Sequence, residues 1–196
     1  MNDGGTRRGR GRRAPGAEPR DGEAAEKKQP RKPEDPAAQA RDIVYRLLAS
    51  RARSRLELRQ ALLRKDIEED VADGVLQKFA DAGLIDDASF AEEWVNQRQR
   101  SQGLGRKALG FELRRKGIDE HLVESALSNV DNDAEAERAR ELVQRKLRST
   151  GSLDYTAKVR RLVGMLARKG YSEGLAYRIV KEEIDNAGDA ADSDFS

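Results

Sequence analysis

Three stretches of the chain align with one another without a gap, and this repetition constrains the fold more than any other feature. LELRQALLRKDIEEDVADGVL, Leu56 to Leu76, superposes on KALGFELRRKGIDEHLVESAL, Lys107 to Leu127, at an offset of 51 residues. The second superposes on RRLVGMLARKGYSEGLAYRIV, Arg160 to Val180, at an offset of 53. Leu58, Leu109 and Leu162 coincide, as do Leu62, Leu113 and Leu166. A basic pair then recurs (Arg64-Lys65, Arg115-Lys116, Arg168-Lys169), followed by a turn and an apolar residue at Ile67, Ile118 and Tyr171. Val71, Leu122 and Leu175 open the next apolar pattern. Spacings of three and four put these residues on one helical face, so each copy reads as helix–turn–helix. Such units are too small to be stable alone and bury their apolar faces by stacking in a row.

Another amphipathic helix precedes each copy, at about 37–49, 87–100 and 133–148. The expected architecture is therefore all-α: three tandem three-helix, helix-turn-helix-like repeats at 37–85, 86–131 and 132–184, forming an elongated, curved body. Strand-like alternation is absent, and no proline follows Pro36. Helix starts are signalled by Asp35-Pro36, by the capping-box pairs Ser54/Glu57 and Asn132/Glu135, and by Asp119 and Ser172. Gly83, Gly117 and Gly170 mark helix ends.

The ends have a different composition. Residues 1–36 hold all five prolines, six glycines and no Val, Ile, Leu, Phe, Tyr or Trp, so ordering them would bring no compensating burial. This Gly/Pro/Arg-rich arm is expected to be disordered, and 185–196, with four Asp and no base, to be an acidic tail.

Several chemistries are excluded outright. The chain has no Cys, which removes disulfides, thiolate metal sites and Cys nucleophiles. His121 is the single histidine, so a multi-His metal site cannot form. No apolar run approaches the ~18 residues of a membrane span, so a cytoplasmic protein is expected. The net charge of +2 is too small for binding nucleic acid by bulk electrostatics, although a one-sided distribution would still give a basic face.

The densest stretch is LIDDASFAEEWVNQRQRSQGLGRKALGFELRRKGI, Leu84 to Ile118. Asp86 and Asp87 read as helix caps rather than metal ligands. Phe90 and Trp94 read as core, and Gly103-Leu104-Gly105 as a tight turn without the strand or the GK[ST] ending of a phosphate loop. His121 is expected to be exposed and inert.

The repeats, the central LIDDxxFAxxWVxxR and the following GxGxxxLxxELRxKGI together resemble the RecX family of recombination regulators, over about residues 38–184. Arg106 and Lys107 stand where family members often carry Pro, a departure that concerns only a helix start. The resemblance implies a protein that binds the RecA filament on single-stranded DNA and performs no chemistry; a cofactor-free monomer is expected. Extension, ATP hydrolysis, strand exchange and coprotease activity of RecA would fall as a result. Weak contact with single- or double-stranded DNA is a further expectation.

The residues themselves offer a recurring basic stripe as the partner-facing surface. The candidates are Arg64, Lys65, Arg106, Lys107, Arg114, Arg115, Lys116, Arg168 and Lys169. The competing reading of such residues is that they are solvated charges complementing helix C-termini. For the whole chain, a sequence-tolerant nucleic-acid binder is the first alternative. A metal-dependent nuclease using Asp86 and Asp87 is a weaker one.

Overall fold

A computed structural model describes residues 35–150 and 152–193, so the N-terminal arm, up to residue 34, lies outside them. Among the described residues there are nine helices and no strand: α1 (Pro36–Ser50), α2 (Arg55–Leu63), α3 (Glu69–Asp81), α4 (Asp87–Gln102), α5 (Arg106–Arg115), α6 (Glu120–Ser128), α7 (Asn132–Leu147), α8 (Tyr155–Arg168) and α9 (Glu173–Ser193). They group in threes as the repeat predicts. The last helix runs past residue 184, where the sequence reading ended the third repeat.

Each repeat has its own core, and the three cores are copies. The second helices contribute Leu58/Leu62, Leu109/Leu113 and Leu162/Leu166, all fully buried. Ile67, Ile118 and Tyr171 close the turn beneath them. The third helices add Ala72/Val75, Val123/Ala126 and Ala176/Ile179, so the buried column lies one residue beyond Val71, Leu122 and Leu175, which are only partly covered. The first helices obey the same rule: Ala40, Ala91 and Ala139 coincide, as do Val44, Val95 and Val143, and all six are buried. A buried Leu contributes about 1.5–3 kcal/mol, so the six leucines alone are a large part of what holds the repeats together.

Local signals set the boundaries. Asp35 accepts from the Ala37 amide at 3.0 Å with Pro36 in the first turn. Ser54 and Glu57 form the predicted capping box. Asn132 and Glu135 do not: the cap of α7 is Asp131, and the Glu135 side chain is used elsewhere. Asp119 precedes α6 without a side-chain cap. Gly83, Gly117 and Gly170 all have positive φ at helix ends. The first repeat has Asp66, at φ +58°, in the place that Gly117 and Gly170 occupy in the others.

Candidate interaction surfaces and the repeat junctions

Two junctions join the repeats, and both are built the same way. The start of the second helix in one repeat is seated on the turn that follows the second helix of the next. At the first junction the Ser54 hydroxyl donates to the Lys116 carbonyl at 2.7 Å. At the second, the Gly105 amide donates to the Lys169 carbonyl at 2.9 Å and the Lys107 amide to the Gly170 carbonyl at 3.1 Å. A carboxylate from the next repeat's first helix then caps the seated helix. Asp87 Oδ1 accepts from the Arg55 amide at 2.9 Å, and Glu135 Oε1 accepts from the Arg106 amide at 2.9 Å. These are corresponding residues, since the first helices superpose at an offset of 48.

Close approach across the junctions, by the Leu56 side chain at one and by Ala108 at the other, explains the glycines here. A Cβ on Gly117 would lie 2.5 Å from Leu56 Cδ2, and one on Gly170 would lie 2.3 Å from the Ala108 amide nitrogen. Neither position tolerates a side chain without moving a neighbouring repeat.

The recurring basic pair acquires a structural account from these junctions. Lys116 Nζ lies 2.8 Å from Glu57 Oε1 across the first junction and 3.9 Å from the centroid of the Trp94 ring. Lys169 Nζ donates to the Gln102 carbonyl at 2.6 Å across the second. Lys65, at the same place in the first repeat, meets no junction among the described residues and is exposed. Arg106 is also drawn into a junction, paired with Glu135 and donating to the Val130 carbonyl. Three of the nine candidates, Arg106, Lys116 and Lys169, therefore hold repeats together instead of lying on one open stripe.

The other six, Arg64, Lys65, Lys107, Arg114, Arg115 and Arg168, are exposed. Arg114 pairs with Glu120, with Nε 2.7 Å from Oε2. Lys107 and Arg115 lie on α5 at four-residue spacing either side of Phe111, the most exposed large apolar side chain among the described residues at 61%. The Arg115 guanidinium stands 5.8 Å from the Phe111 ring centroid. Sequence reasoning missed Phe111 because its counterparts, Gln60 and Gly164, are not aromatic and the repeat pattern is silent there.

Phe90 is buried and Trp94 half-buried, as core residues should be. The indole Nε1 of Trp94 donates to Glu112 at 2.8 Å, and Arg98, whose guanidinium stands 4.3 Å from the ring centroid, pairs with the same carboxylate. His121 is exposed.

The two aspartates separate chemically. Asp86 caps its own helix: the Ser89 amide, the Ser89 hydroxyl and the Ala88 amide donate to it and hold its carboxyl below the ordinary value. Asp87 caps α2 instead, and burial pushes its carboxyl up against the pull of the Arg55 amide. Among the described residues no three His, Asp or Glu side chains gather as a metal site. No helix among them is long and apolar enough to cross a membrane. Tyr171 is buried, which pushes its phenol up to about 12, and its hydroxyl donates to the Gly103 carbonyl at 3.1 Å.

Comparison with known proteins assigns each repeat separately. Models of the first, second and third three-helix domains of RecX match residues 40–79, 86–127 and 133–180 in that order. The Regulatory protein RecX of Streptomyces coelicolor is 48% identical over 165 residues, covering 84% of this chain and 87% of the relative. That of Amycolatopsis mediterranei is 49% identical over 156 residues, covering 80% and 89%. The crystal structure of RecX from Lactobacillus salivarius superposes with a TM-score of 0.71 at 26% identity, over 76% of this chain and 96% of that one. With all three domains matched in order and close relatives aligned along most of their length, this chain belongs to the RecX family of regulatory proteins.

Proposed function

We propose that this protein is a negative regulator of the RecA recombinase. It binds the RecA filament on single-stranded DNA and limits its extension, ATP hydrolysis, strand exchange and coprotease activity, performing no chemistry of its own. The observation that carries this reading is the ordered match of all three domains to RecX, with relatives named Regulatory protein RecX at 48% identity. The protein acts as a cytoplasmic monomer and needs no cofactor.

The partner-facing residues in this reading are the exposed cations Arg64, Lys65, Lys107, Arg114, Arg115 and Arg168, with Phe111 as an apolar anchor among those on α5. Aromatic side chains and arginine are enriched at the cores of protein interfaces, and Phe111 with Arg115 beside it supplies both. The cations supply attraction to acidic protein surface and steer the encounter.

The test is RecA ATP hydrolysis on single-stranded DNA, titrated with this protein up to the RecA concentration. Inhibition well below one-to-one supports action on the filament. Unchanged hydrolysis with folded protein present overturns the reading.

A further inference from the structure

The two junctions share a plan but differ in charge, and the difference creates a site. Beside the first junction, a cleft of about 440 Å³ is lined by Arg51, Arg98 and Lys116. Each of these cations is already paired, Arg51 and Lys116 with Glu57 and Arg98 with Glu112. The cleft is electrically closed.

The second junction has a cleft of about 480 Å³ between the end of α4, one face of α7 and the α8–α9 turn. Arg100, Arg138, Arg145 and Lys169 line it, against Glu141 alone. Arg100, Arg138 and Arg145 form no ion pair among the described residues, and Lys169 is held by a backbone carbonyl.

The repeat register shows how this arises. The neutralising Glu57 and Glu112 become Ala108 and Met165, while Phe90 and Gln97 become Arg138 and Arg145. Two carboxylates are lost and the guanidinium groups of Arg138 and Arg145 gained, while Arg51 gives way to the neutral Gln102. In addition, Arg138 Nε and Gln99 Nε2 lie out of solvent without an acceptor among the described residues, so the wall keeps unmet donor capacity.

We propose that this second-junction cleft is an oxyanion site that binds phosphate groups. Three arginines lining one concavity suit phosphate because the planar guanidinium makes paired, charge-assisted hydrogen bonds to its oxygens. The volume falls in the range of small-ligand sites, about 300–1,000 Å³. The phosphate comes either from a free nucleotide or from the backbone of a single-stranded nucleic acid. This inference is independent of the RecA reading, because none of the cleft residues is among the proposed partner-facing set.

Binding of the full chain to inorganic pyrophosphate and to a fluorescent oligothymidylate tests it. The variant R100Q/R145Q removes two exposed cations of the cleft, and R64Q/K65Q removes two elsewhere at equal change in net charge. The cleft variant should weaken phosphate binding at least ~10-fold and lower the oligothymidylate salt slope by about 1.4, two phosphate contacts' worth. The control pair should change it less than about twofold, the difference between local contacts and distant screened charge. A second variant, A108E, restores the carboxylate that Glu57 supplies at the first junction and should also abolish binding. Melting temperature verifies that each variant folds.

Pyrophosphate competing with oligothymidylate identifies a site for a free phosphate group, and oligothymidylate binding alone identifies backbone phosphate. Either supports the site, provided the cleft variant loses it. Equal loss in both cation pairs overturns the proposal, as does a lack of binding by both phosphate probes. Polyglutamate binding as tightly as oligothymidylate also overturns it, because the cleft would then recognise acidic protein.

Discussion

Asp87 caps a helix to which it does not belong: its Oδ1 accepts from the Arg55 amide at 2.9 Å, at the start of the preceding repeat's second helix. Removing a capping carboxylate costs about 1 kcal/mol. D87A should therefore lower unfolding free energy by about that amount in urea titration, and E135A should do the same at the second junction. No loss in either variant would remove capping from the account of the junctions.

The ionisation of Asp87 works in the opposite direction from its hydrogen bond. Burial raises its carboxyl above the ordinary value, so the folded state holds that proton more firmly than the unfolded state. The resulting contribution to stability is complete below the unfolded value and is lost as pH rises through the folded one. D87N keeps an acceptor oxygen and removes the charge, so its stability relative to the natural protein should improve between about pH 3 and 7. Parallel melting curves for the two proteins across that range would contradict this.

Glu57 has the reverse sign. Burial pushes its carboxyl up, but hydrogen bonds from Arg51 and Lys116 outweigh burial and leave it below the ordinary 4.5. Its contribution is present above 4.5 and is lost as pH falls through the lower folded value. E57Q should flatten the acid limb of the stability profile, read from Trp94 fluorescence, since Trp94 is the single tryptophan and stands at this junction.

Lys116 and Lys65 occupy the same place in the repeat, yet their replacements should differ. Lys116 is 16% exposed and Glu57 22%, between the surface and buried regimes of ion pairing. K116M should cost about 1–2 kcal/mol, and K65M less than about 0.5 kcal/mol. Equal costs would mean that the pair to Glu57 adds nothing to the junction.

Two glycines make a matched test of packing. A Cβ at Gly105 would stand 2.7 Å from the Gly170 carbonyl oxygen, whereas one at Gly74 in α3 meets nothing within 4 Å. G105A should destabilise by about 1–3 kcal/mol through overpacking. G74A should stabilise by about 0.5–1 kcal/mol through helix propensity.

On function, charge reversal at Lys107 and Arg115, which flank Phe111, should weaken inhibition of RecA at least ~10-fold, a loss of about 1.4 kcal/mol. Full inhibition by K107E/R115E would move the partner surface elsewhere.

Much of the fold was legible because an apolar residue repeated at a fixed offset has one plain physical meaning. Leu58, Leu109 and Leu162 must face equivalent cores if their neighbourhoods are equivalent, and they do. The junctions were not legible, because periodicity records which face of a helix is buried within a repeat but not what crosses between repeats. Glu135 looked like a partner for Asn132 three residues away, yet its side chain reaches Arg106, 29 residues earlier. Lys116 and Arg115 looked alike in the sequence, while one is held against Glu57 and the other stands beside an exposed ring. The charge of the second-junction cleft became readable only when its lining was compared with the first position by position.

Asp66, standing where Gly117 and Gly170 stand, makes the repeats ordered modules instead of interchangeable ones. A first repeat transplanted into second or third place would bring a side chain to a position where even a Cβ falls 2.3–2.5 Å from the helix it must support. The first repeat accepts the next repeat's turn but cannot offer its own, so the row has a built-in direction and an end piece. Recombining or duplicating these units would have to respect that polarity.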